Sequence, residues 1–408
     1  MNKRIIFHID VNNAFLSWSA VKLLNEGYKK DIRTIPAVIA GSETERRGIV
    51  LAKSPVAKKY GIVTAETIYQ AKKKCKDLEV YNPDYKWYYK KSYELMKYLS
   101  NFSPLLEQYS VDECFLDMTG MNYIYKDYIE LAHKIKDEIK EKFGYTVNIG
   151  IGNNKLCAKM ASDFEKPDKV HTLLEDEIAK KLWPLPVRDL FMVGRKTAEV
   201  LNSLNINTIY ELAKTDEKKL KKYFKNQADY LKKASLGLDD SKVIPRSNTT
   251  TSISVSETLP YDFVDPDKLK EILFRQTEEV TRQLRYQKQY AKTVAVIYKN
   301  SSFNNYSAQE KLTNPTNSTK TIYKKVVEIF DKNYREDPIR LIGVRLSDFT
   351  NKNEHQLSLF ENNEDSDESE IQKTIDDINT KFGAASVIPA SLKIIGKSKS
   401  KRNLNNKN

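Results

Sequence analysis

The segment YSVDECFLD, residues 109–117, decides the fold because two adjacent carboxylates interrupt an otherwise apolar run. Its two halves predict the strands of a hairpin, with Asp112 and Glu113 as the tight turn between them. Asp10 stands in a similar place, because it ends a predicted strand over residues 3–11 that is rich in Ile and Val. A carboxylate at the end of a buried strand is costly unless something compensates its charge. If this strand and the hairpin are neighbours, the three carboxylates converge and require cations.

Such a convergence indicates a divalent metal site. Hard oxygen ligands select Mg²⁺ or Mn²⁺. Two such ions about 3.5–4 Å apart can activate an attacking oxygen and stabilise a leaving oxygen in phosphoryl transfer. On spacing alone a second interpretation stays open, in which Asp112 and Glu113 are only a turn and Asp10 is only a helix N-cap.

The composition describes a basic protein with enough apolar residues for packed cores. The 408 residues include 68 Lys and Arg against 55 Asp and Glu, a net charge of +13, and 40% of them are hydrophobic. The length predicts two to four domains. The positive charge favours a polyanionic partner, either nucleic acid or an anionic membrane surface. A lysine-rich surface without any such partner is the alternative that composition leaves open.

Several protein classes are excluded by simple patterns. No apolar run approaches the length of about 18 residues that spans a bilayer, and an early carboxylate, Asp10, interrupts any secretory signal region. Three scattered cysteines (Cys75, Cys114 and Cys157) do not make a disulfide framework, and the four histidines are too far apart for a zinc motif. We therefore expect a reduced, soluble, cytoplasmic protein in which any metal has oxygen ligands.

The order of predicted elements separates the chain into regions. Strands alternate with helices up to about residue 168, which indicates α/β or α+β packing. Short helices without strands occupy residues 187–236, and a polar linker follows. Residues 251–349 predict the order β-α-β-β-α-β, a split βαβ arrangement with one polar and basic sheet face. After residue 350 the core-forming pattern is lost.

Three motifs in this order resemble those of Y-family (translesion) DNA polymerases of the UmuC/DinB type, especially the UmuC-like branch. They are HIDVNNAF (residues 8–15), YSVDECFLD (109–117), and NIGIGNNKLCAKMAS (148–162) running into Glu165-Lys166-Pro167. The resemblance extends over about residues 1–350. It implies an α+β multidomain right hand with a ferredoxin-like palm, small fingers, a helical thumb with a helix-hairpin-helix, and a βαββαβ little finger. The implied ranges are 1–31 and 76–168 for the palm, 32–75 for the fingers, 169–238 for the thumb, 239–250 for the linker, 251–349 for the little finger and 350–408 for the tail.

The resemblance also implies roles for individual residues. It assigns two Mg²⁺ ions, for which Mn²⁺ can substitute, to Asp10, Asp112, Glu113 and the backbone carbonyl of Val11. It assigns nucleotide binding to Asn13, Ala14, Phe15, Lys58 and Lys166. Phe15 would be the steric gate that excludes a 2′-OH, and Lys166 would bind the triphosphate as a point charge. Without the resemblance, Phe15 reads as a helix core residue and Lys166 as an ordinary surface lysine.

Two segments depart from the pattern of the family. Pro55 stands where many members have a tyrosine that holds a phosphate, and Lys58 replaces an arginine, so it is still cationic but not bidentate. Asp168 and Lys169 replace the commoner Asn-Gly after Lys-Pro. These changes put the nucleotide contacts of the fingers and the geometry of that turn in question.

Two further motifs imply macromolecular partners. The segment around Gly194, Arg195 and Lys196 resembles a helix-hairpin-helix, in which glycine permits a tight turn and helix N-terminal amides bind a DNA phosphate. Short turns of this kind are common, so the motif is weak by itself. The clamp-binding pentapeptide of bacterial polymerases resembles Gln356-Leu357-Ser358-Leu359-Phe360, an apolar cluster in a solvated stretch; a strand packed on the little finger is the alternative.

The function that these expectations support is template-directed, distributive translesion DNA synthesis by a monomer. Its partners would be primer–template DNA, dNTP and the sliding clamp, without a membrane. A second hypothesis is a catalytically weak or inactive DNA- and clamp-binding accessory protein, because Pro55 and Lys58 depart from the family. A nucleotide cyclase, the third possibility, does not explain the thumb, the little finger and the clamp peptide together.

Overall fold

The computed structural model describes residues 4–42, 48–245, 250–351, 374–378, 381, 382 and 387. The chain divides into two compact units. The first comprises residues 1–43 and 47–248, and the second comprises residues 249–408 together with 44–46. Each unit is described by itself.

The first unit is a mixed α+β structure followed by a helical segment. Its elements in chain order are β1 (Ile6–Val11), α1 (Ala14–Asn25), β2 (Ala37–Ala40), β3 (Val50–Lys53), α2 (Pro55–Lys59), α3 (Ile68–Lys74), β4 (Glu79–Tyr81), α4 (Tyr85–Leu99), β5 (Leu106–Gln108), β6 (Glu113–Asp117), α5 (Tyr128–Phe143), β7 (Val147–Gly152), α6 (Lys155–Asp163), β8 (Val170–Leu173), α7 (Arg195–Ser203), α8 (Ile209–Lys214), α9 (Glu217–Phe224) and α10 (Gln227–Ser235). Short 3-10 turns occupy Met121–Tyr123, Glu175–Glu177 and Val187–Asp189, and a π turn occupies Ile178–Leu182.

A five-stranded sheet with the order β5-β6-β1-β7-β8 forms the centre of this unit. β1 is antiparallel to both neighbours, and every residue of β1 is buried. One face of the sheet packs into an apolar core that includes Phe7, Trp18, Tyr88 and Ile135, contributed by β1, α1, α4 and α5. Helix α6 contacts the sheet through β1, β7 and β8. The central strand is therefore covered on both faces, which explains its unbroken run of apolar residues before Asp10.

Two short strands lie outside the elements that the sequence predicts. β4 pairs in parallel with β2 in the small sheet β3-β2-β4, so this sheet extends past residue 75, the predicted end of the fingers. β8 pairs in parallel with β7, so the central sheet extends past residue 169, the predicted start of the thumb. Strands of three and four residues carry too little periodicity to be recognised in a sequence.

The turn of the predicted hairpin is wider than expected. β5 ends at Gln108 rather than Val111, and Glu113 is the first residue of β6 rather than half of a two-residue turn. Within the loop, the amides of Tyr109 and Ser110 both donate to the carbonyl oxygen of Glu113, at 2.9 and 3.1 Å. This pairing places the Glu113 side chain on the sheet instead of in a solvated turn.

The second unit confirms the predicted β-α-β-β-α-β order. Its elements are β9 (Ser252–Phe263), α11 (Pro266–Tyr286), β10 (Tyr290–Asn300), β11 (Asn305–Thr316), α12 (Thr319–Asn333) and β12 (Ile339–Thr350). The sheet order is β11-β10-β12-β9, with every neighbouring pair antiparallel. Both helices pack on one sheet face around residues such as Leu273, Val296 and Phe330. The opposite face includes Ser254, Ala295 and Arg345, which are neighbours in the sheet register.

Candidate active site

The ends of β1 and β6 bring two of the three predicted carboxylates together. Asp10 and Glu113 are direct cross-strand partners in the antiparallel ladder, and side chains in such a pair project from the same face of a sheet. The amide of Val11 donates to the carbonyl oxygen of Asp112 at 3.1 Å, which places Asp112 beside the end of β1. The carboxylate of Asp112 accepts a hydrogen bond of 2.6 Å from Ser110. The strand pairing on which the predicted convergence depends is therefore present in the structure.

Two lysines neutralise the facing carboxylates. Lys166 forms an ion pair with Asp10, and Lys159 on α6 donates to Glu113 Oε1 at 2.6 Å. Asp163 contacts both lysines, at 3.2 Å from Lys159 Nζ and 2.8 Å from Lys166 Nζ. In the described part of the chain, no three His, Cys, Asp or Glu side chains are grouped closely enough to hold a metal ion. The full convergence of Asp10, Asp112 and Glu113 is therefore not formed in this structure.

Burial makes Asp10 an unusual carboxylic acid. The residue is only 6% exposed, and this burial raises its pKa to about 6 although Lys166 and Lys159 act to lower it. The charge of Glu113 adds to the increase in the pKa of Asp10. A carboxylate with this environment is stabilised by any cation that approaches it. The hard oxygen atoms of Asp10 and Glu113 therefore fit a divalent ion chemically.

Helix α6 lies close enough to the sheet to deliver Lys159. A Cβ atom on Gly150 would lie 2.0 Å from the carbonyl oxygen of Ala158, and a Cβ on Gly152 would lie 2.5 Å from the amide of Ala158. Only glycine leaves room for the helix backbone at these two positions of β7. The N-cap Asn154 accepts a hydrogen bond from the amide of Cys157 at 2.8 Å and so starts the helix. The NIGIGNN motif thus fixes the position of Lys159 over the sheet.

A pair of buried amides, which the sequence did not single out, connects β1 to the segment that carries Lys166. Asn12 Nδ2 donates to Asn148 Oδ1 at 3.0 Å. Asn12 Oδ1 accepts from the amide of Asp168 at 2.9 Å, and Asn148 Oδ1 accepts from the amide of Lys169 at 3.3 Å. The two asparagines are 136 positions apart, so no local pattern reveals them.

Phe15 has the environment expected of a rigid wall. Its ring stacks on Tyr88, with centroids 4.8 Å apart and an interplanar angle of 15°. Tyr88 is buried, and its hydroxyl is 2.7 Å from the hydroxyl of Ser19. Phe15 is partly exposed on α1 and packs against two apolar clusters. It is thus both a packing residue and a surface that a ligand can contact.

The start of α1 is joined to the small sheet. Asn13, the N-cap of the helix, has a left-handed backbone with φ of 51°. Its side chain donates to the carbonyl oxygen of Lys53 on β3 at 2.7 Å. Ala14 is buried directly after it. Nucleotide binding by Asn13 and Ala14 stays a prediction.

The fingers segment contains a second lysine that the sequence did not reveal. Lys58 is exposed on α2, and Lys53 lies nearby on β3. Burial lowers the pKa of Lys53, and the positive charge of Lys58 lowers it further. Pro55 is the first residue of α2, where its missing amide hydrogen costs nothing, and Ser54 caps the helix through the amide of Ala57 at 2.9 Å. The proline therefore has a structural role, and Lys53 and Lys58 together form a cationic surface.

The comparisons with known proteins show the family to which the chain belongs. The model of the impB/mucB/samB family matches residues 9–163, the model of its C-terminal domain matches 250–359, and the model of its HHH motif matches 175–206. DNA polymerase IV of Clostridium acetobutylicum is 43% identical over 384 residues, which cover 93% of this chain and 96% of that protein. The chain belongs to the Y family of DNA polymerases. DNA polymerase IV of Clostridium kluyveri is 34% identical over 95% of this chain and 98% of its own length.

A solved structure supports the fold of this Y-family member. The Y-family DNA polymerase chimera Dbh-Dpo4(243-245)-Dbh superposes with a TM-score of 0.73, at 23% identity, over 85% of this chain and 100% of that chain. The predicted α+β fold class is therefore confirmed. The relatives named above are called DNA polymerase IV, so assignment to the UmuC-like branch stays a prediction.

The candidate helix-hairpin-helix differs from the expectation in its backbone. Gly194 has a φ of −76°, which any residue can adopt, and the left-handed residue of this turn is Met192 with φ of 65°. The expectation that glycine permits the tight turn is thus wrong at Gly194. Gly194, Arg195 and Lys196 are all exposed at the start of α7. Their role in DNA binding stays a prediction.

The open sheet face of the second unit carries cationic side chains among small polar ones. Arg345 on β12 lies between Ser254 of β9 and Ala295 of β10 in the sheet register. Its guanidinium donates to Gln309 at 3.3 Å, while its buried Nε has no hydrogen-bond partner among the residues that the structure describes. Arg345 thus contributes a positive charge to this face.

Two further predictions concern the sliding clamp and a membrane. The pentapeptide Gln356–Phe360 lies outside the described residues, so clamp binding is untested. No helix within the described ranges is sufficiently long and apolar to span a membrane.

Proposed function

We propose that this chain is a template-directed translesion DNA polymerase that adds dNTPs to a primer 3′-OH and releases pyrophosphate. The observation that carries this proposal is the pair of facing carboxylates, Asp10 and Glu113, with Lys159 and Lys166 beside them. Facing carboxylates can hold the metal cations that neutralise the negative charge of a polyanionic substrate during phosphoryl transfer. Membership of the Y family supports the same reaction.

We propose that two Mg²⁺ ions bind to Asp10, Asp112, Glu113 and the carbonyl oxygen of Val11, and that Mn²⁺ can replace them. Y-family DNA polymerases depend on metals in general. Bound ions would neutralise the attacking and leaving oxygens of the displacement. Lys159 and Lys166 hold the carboxylate charges in the arrangement that the structure shows.

The nucleotide contacts follow from the cationic and aromatic side chains around this centre. Lys166 and Lys58, with Lys53 as an addition from the structure, would bind the triphosphate as point charges. Phe15 would contact the sugar, because its ring is held flat by the buried Tyr88. A ribose 2′-OH would then meet a surface that cannot move away.

We keep the domain ranges predicted from the sequence, with two changes. β4 belongs to the sheet of the fingers, and β8 belongs to the sheet of the palm. The open sheet face around Arg345 and the exposed start of α7 would bind the DNA backbone without sequence preference. The net charge of +13 is consistent with such a polyanionic partner.

The cellular setting is a proposal based on the sequence alone. The chain would act as a cytoplasmic monomer of low processivity in DNA damage tolerance, including the SOS response. The sliding clamp would recruit it through residues Gln356–Phe360. Three apolar residues in an otherwise polar sequence have the character of a peptide that binds in a pocket.

The test is primer extension by the purified protein with Mg²⁺ or Mn²⁺. We expect extension by the wild type and its loss in the double variant Asp112→Ala, Glu113→Ala. Asp117→Asn is the matched control, because Asp117 lies on the same strand about 13 Å from Glu113 and accepts a hydrogen bond from the amide of Thr119. Extension that survives in the double variant would contradict the mechanism. A wild type that binds DNA but adds no nucleotide would favour the accessory protein.

A further inference from the structure

Helix α5 buries a lysine that the proposed reaction does not use. Lys136 lies on the face of α5 that also buries Leu131, Ala132, Ile135 and Ile139, and its side chain is only 10% exposed. A buried ammonium group is costly unless it is paired and hydrogen-bonded. The position of its partners therefore decides what Lys136 does.

The partner of Lys136 is the turn that follows Lys166. Lys136 Nζ donates to Asp168 Oδ1 at 2.9 Å, and Lys140, one helical turn further along α5, donates to Asp168 Oδ2 at 2.9 Å. Each carboxylate oxygen of Asp168 therefore has its own ammonium group. Burial acts to raise the pKa of Asp168, but the hydrogen bonds from Lys140 and Lys136 outweigh it and hold this pKa below its usual range. Lys136 also contacts Asp137 at 2.6 Å.

The backbone of the same turn is held from the opposite side. The amides of Asp168 and Lys169 donate to the side chains of Asn12 and Asn148, at 2.9 and 3.3 Å. The carbonyl oxygen of Lys169 accepts from the amide of Ile149 at 2.9 Å. Asp168 has a φ of 62°, a left-handed conformation that aspartate adopts less readily than glycine. The turn thus needs external contacts, and it obtains them from α5 as well as from β1 and β7.

This turn lies directly after Lys166 in the chain. Lys166 is two residues before Asp168, and its ammonium group lies between Asp10 and Asp163. Asp168 and Lys169 are also the positions at which the chain departs from the commoner Asn-Gly. A carboxylate in place of the amide allows the lysines of α5 to form ion pairs with this turn.

We propose that Lys136 and Lys140 hold Asp168 in place through ion pairs and thereby position Lys166 for the triphosphate of the incoming nucleotide. They are positioning residues, because they act through Lys166 and do not contact the substrate. This inference rests on the role of Lys166 in the proposed function. The simpler alternative is that the ion pairs only stabilise the packing of α5 on the sheet.

A double-mutant cycle with Lys166 separates the two explanations. Single-nucleotide insertion is measured for the wild type, Lys136→Met, Lys166→Met and the double variant. If Lys136 acts through Lys166, its replacement raises the KM for dNTP about fivefold or more with kcat changed less than about twofold, as expected for lost substrate binding. In the Lys166→Met background the same replacement should change KM by less than about twofold, because the two residues belong to one network.

A matched control and a second variant complete the design. Lys134→Met removes another lysine of α5, but Lys134 is 67% exposed and lies 4.0 Å from Glu138 rather than at the turn of Asp168, so its KM should equal that of the wild type. Asp168→Asn keeps a side chain that tolerates left-handed backbone and removes the charge. It should raise the KM for dNTP to the extent expected for Lys136→Met. It therefore tests the inference even if Lys136→Met does not fold.

Three results would overturn the inference while the wild type remains an active polymerase. The first is an unchanged KM in Asp168→Asn. The second is an equal effect of Lys136→Met on KM with and without Lys166. The third is a Lys166→Met variant with the KM of the wild type. A wild type that adds no nucleotide would instead remove the proposed function itself.

Discussion

Replacement of Gly150 by alanine tests whether α6 must lie against β7. The added Cβ would be 2.0 Å from the carbonyl oxygen of Ala158 and 2.4 Å from the amide of Ser162. Both are backbone atoms of α6, so rotation of a side chain cannot relieve the overlap. Because Cβ contacts under 3.0 Å essentially do not occur, the helix would have to withdraw by about 1 Å in a close-packed interior.

The expected cost follows from this displacement. Overpacking a core costs typically about 1–3 kcal/mol, and an overlap with fixed backbone belongs at the upper end of that range. A loss of about 3 kcal/mol in a unit of this size lowers the unfolding temperature by about 6–12 °C. The withdrawal would also displace Lys159 from Glu113. An error of about 1 Å in a catalytic centre can reduce the rate by about 100-fold.

The assay compares thermal unfolding of Gly150→Ala with that of Gly194→Ala. A Cβ on Gly194 meets no atom within 4 Å, and the φ of −76° suits alanine, so this control should lose less than about 1 kcal/mol. Primer extension by Gly150→Ala and by the wild type is then measured below the unfolding temperatures of both. If Gly150→Ala unfolds at the same temperature as the wild type, α6 does not make the close approach that places Lys159. Our explanation of the NIGIGNN motif would then be incorrect.

Two further predictions concern the nucleotide pocket and the second unit. Phe15→Ala should reduce the preference for dNTP over rNTP by at least about tenfold, because the ring stacked on Tyr88 is removed from the sugar contact; competition assays measure this ratio, and an unchanged ratio would exclude Phe15 as the steric gate. Burial raises the pKa of Glu278 on α11 to about 7, against the opposing charge of Arg285 and with a contribution from Asp376. As the pH rises, the unfolded state loses the carboxyl proton of Glu278 at a lower pH than the folded state does. The stabilisation by neutral Glu278 is therefore present below about pH 4.5 and is lost as the pH rises to about 7. Because Glu278 is partly exposed, solvent screens its charge, and we expect the free energy of unfolding to fall by about 1 kcal/mol. Glu278→Gln should therefore unfold at a temperature about 2–4 °C higher than the wild type at pH 8. This difference should vanish near pH 4.5. An equal difference at both pH values would contradict the assignment.

The sequence predicted those elements whose patterns are long or chemically distinctive. Helix α11 (Pro266–Tyr286) is the first helix of the predicted β-α-β-β-α-β order, and it is recognisable because its apolar stripe continues over 21 residues. The pairing of β1 with β6 was predictable because a buried strand that ends in a carboxylate needs a neighbour that can share the charge. In the structure this pairing makes Asp10 and Glu113 direct cross-strand partners.

Features that depend on distant or very short segments could not be predicted. Asn12 and Asn148 meet only because β1 and β7 are neighbours, and amides carry no periodic signal. Lys136 belongs to the buried face of α5, where a sequence pattern would place an apolar residue. Glu113 was predicted in a turn because two adjacent acids usually mark one, whereas the backbone of Tyr109 and Ser110 extends the loop and returns Glu113 to the strand.

The central claim is that the Asp10–Glu113 centre performs templated nucleotide addition. The most direct measurement is single-nucleotide insertion opposite each of the four template bases, by the wild type and by the Asp112→Ala, Glu113→Ala variant. We predict that the wild type adds the complementary nucleotide preferentially at every template base, and that the variant adds none. Addition that ignores the template base, or that persists without both carboxylates, would contradict this account.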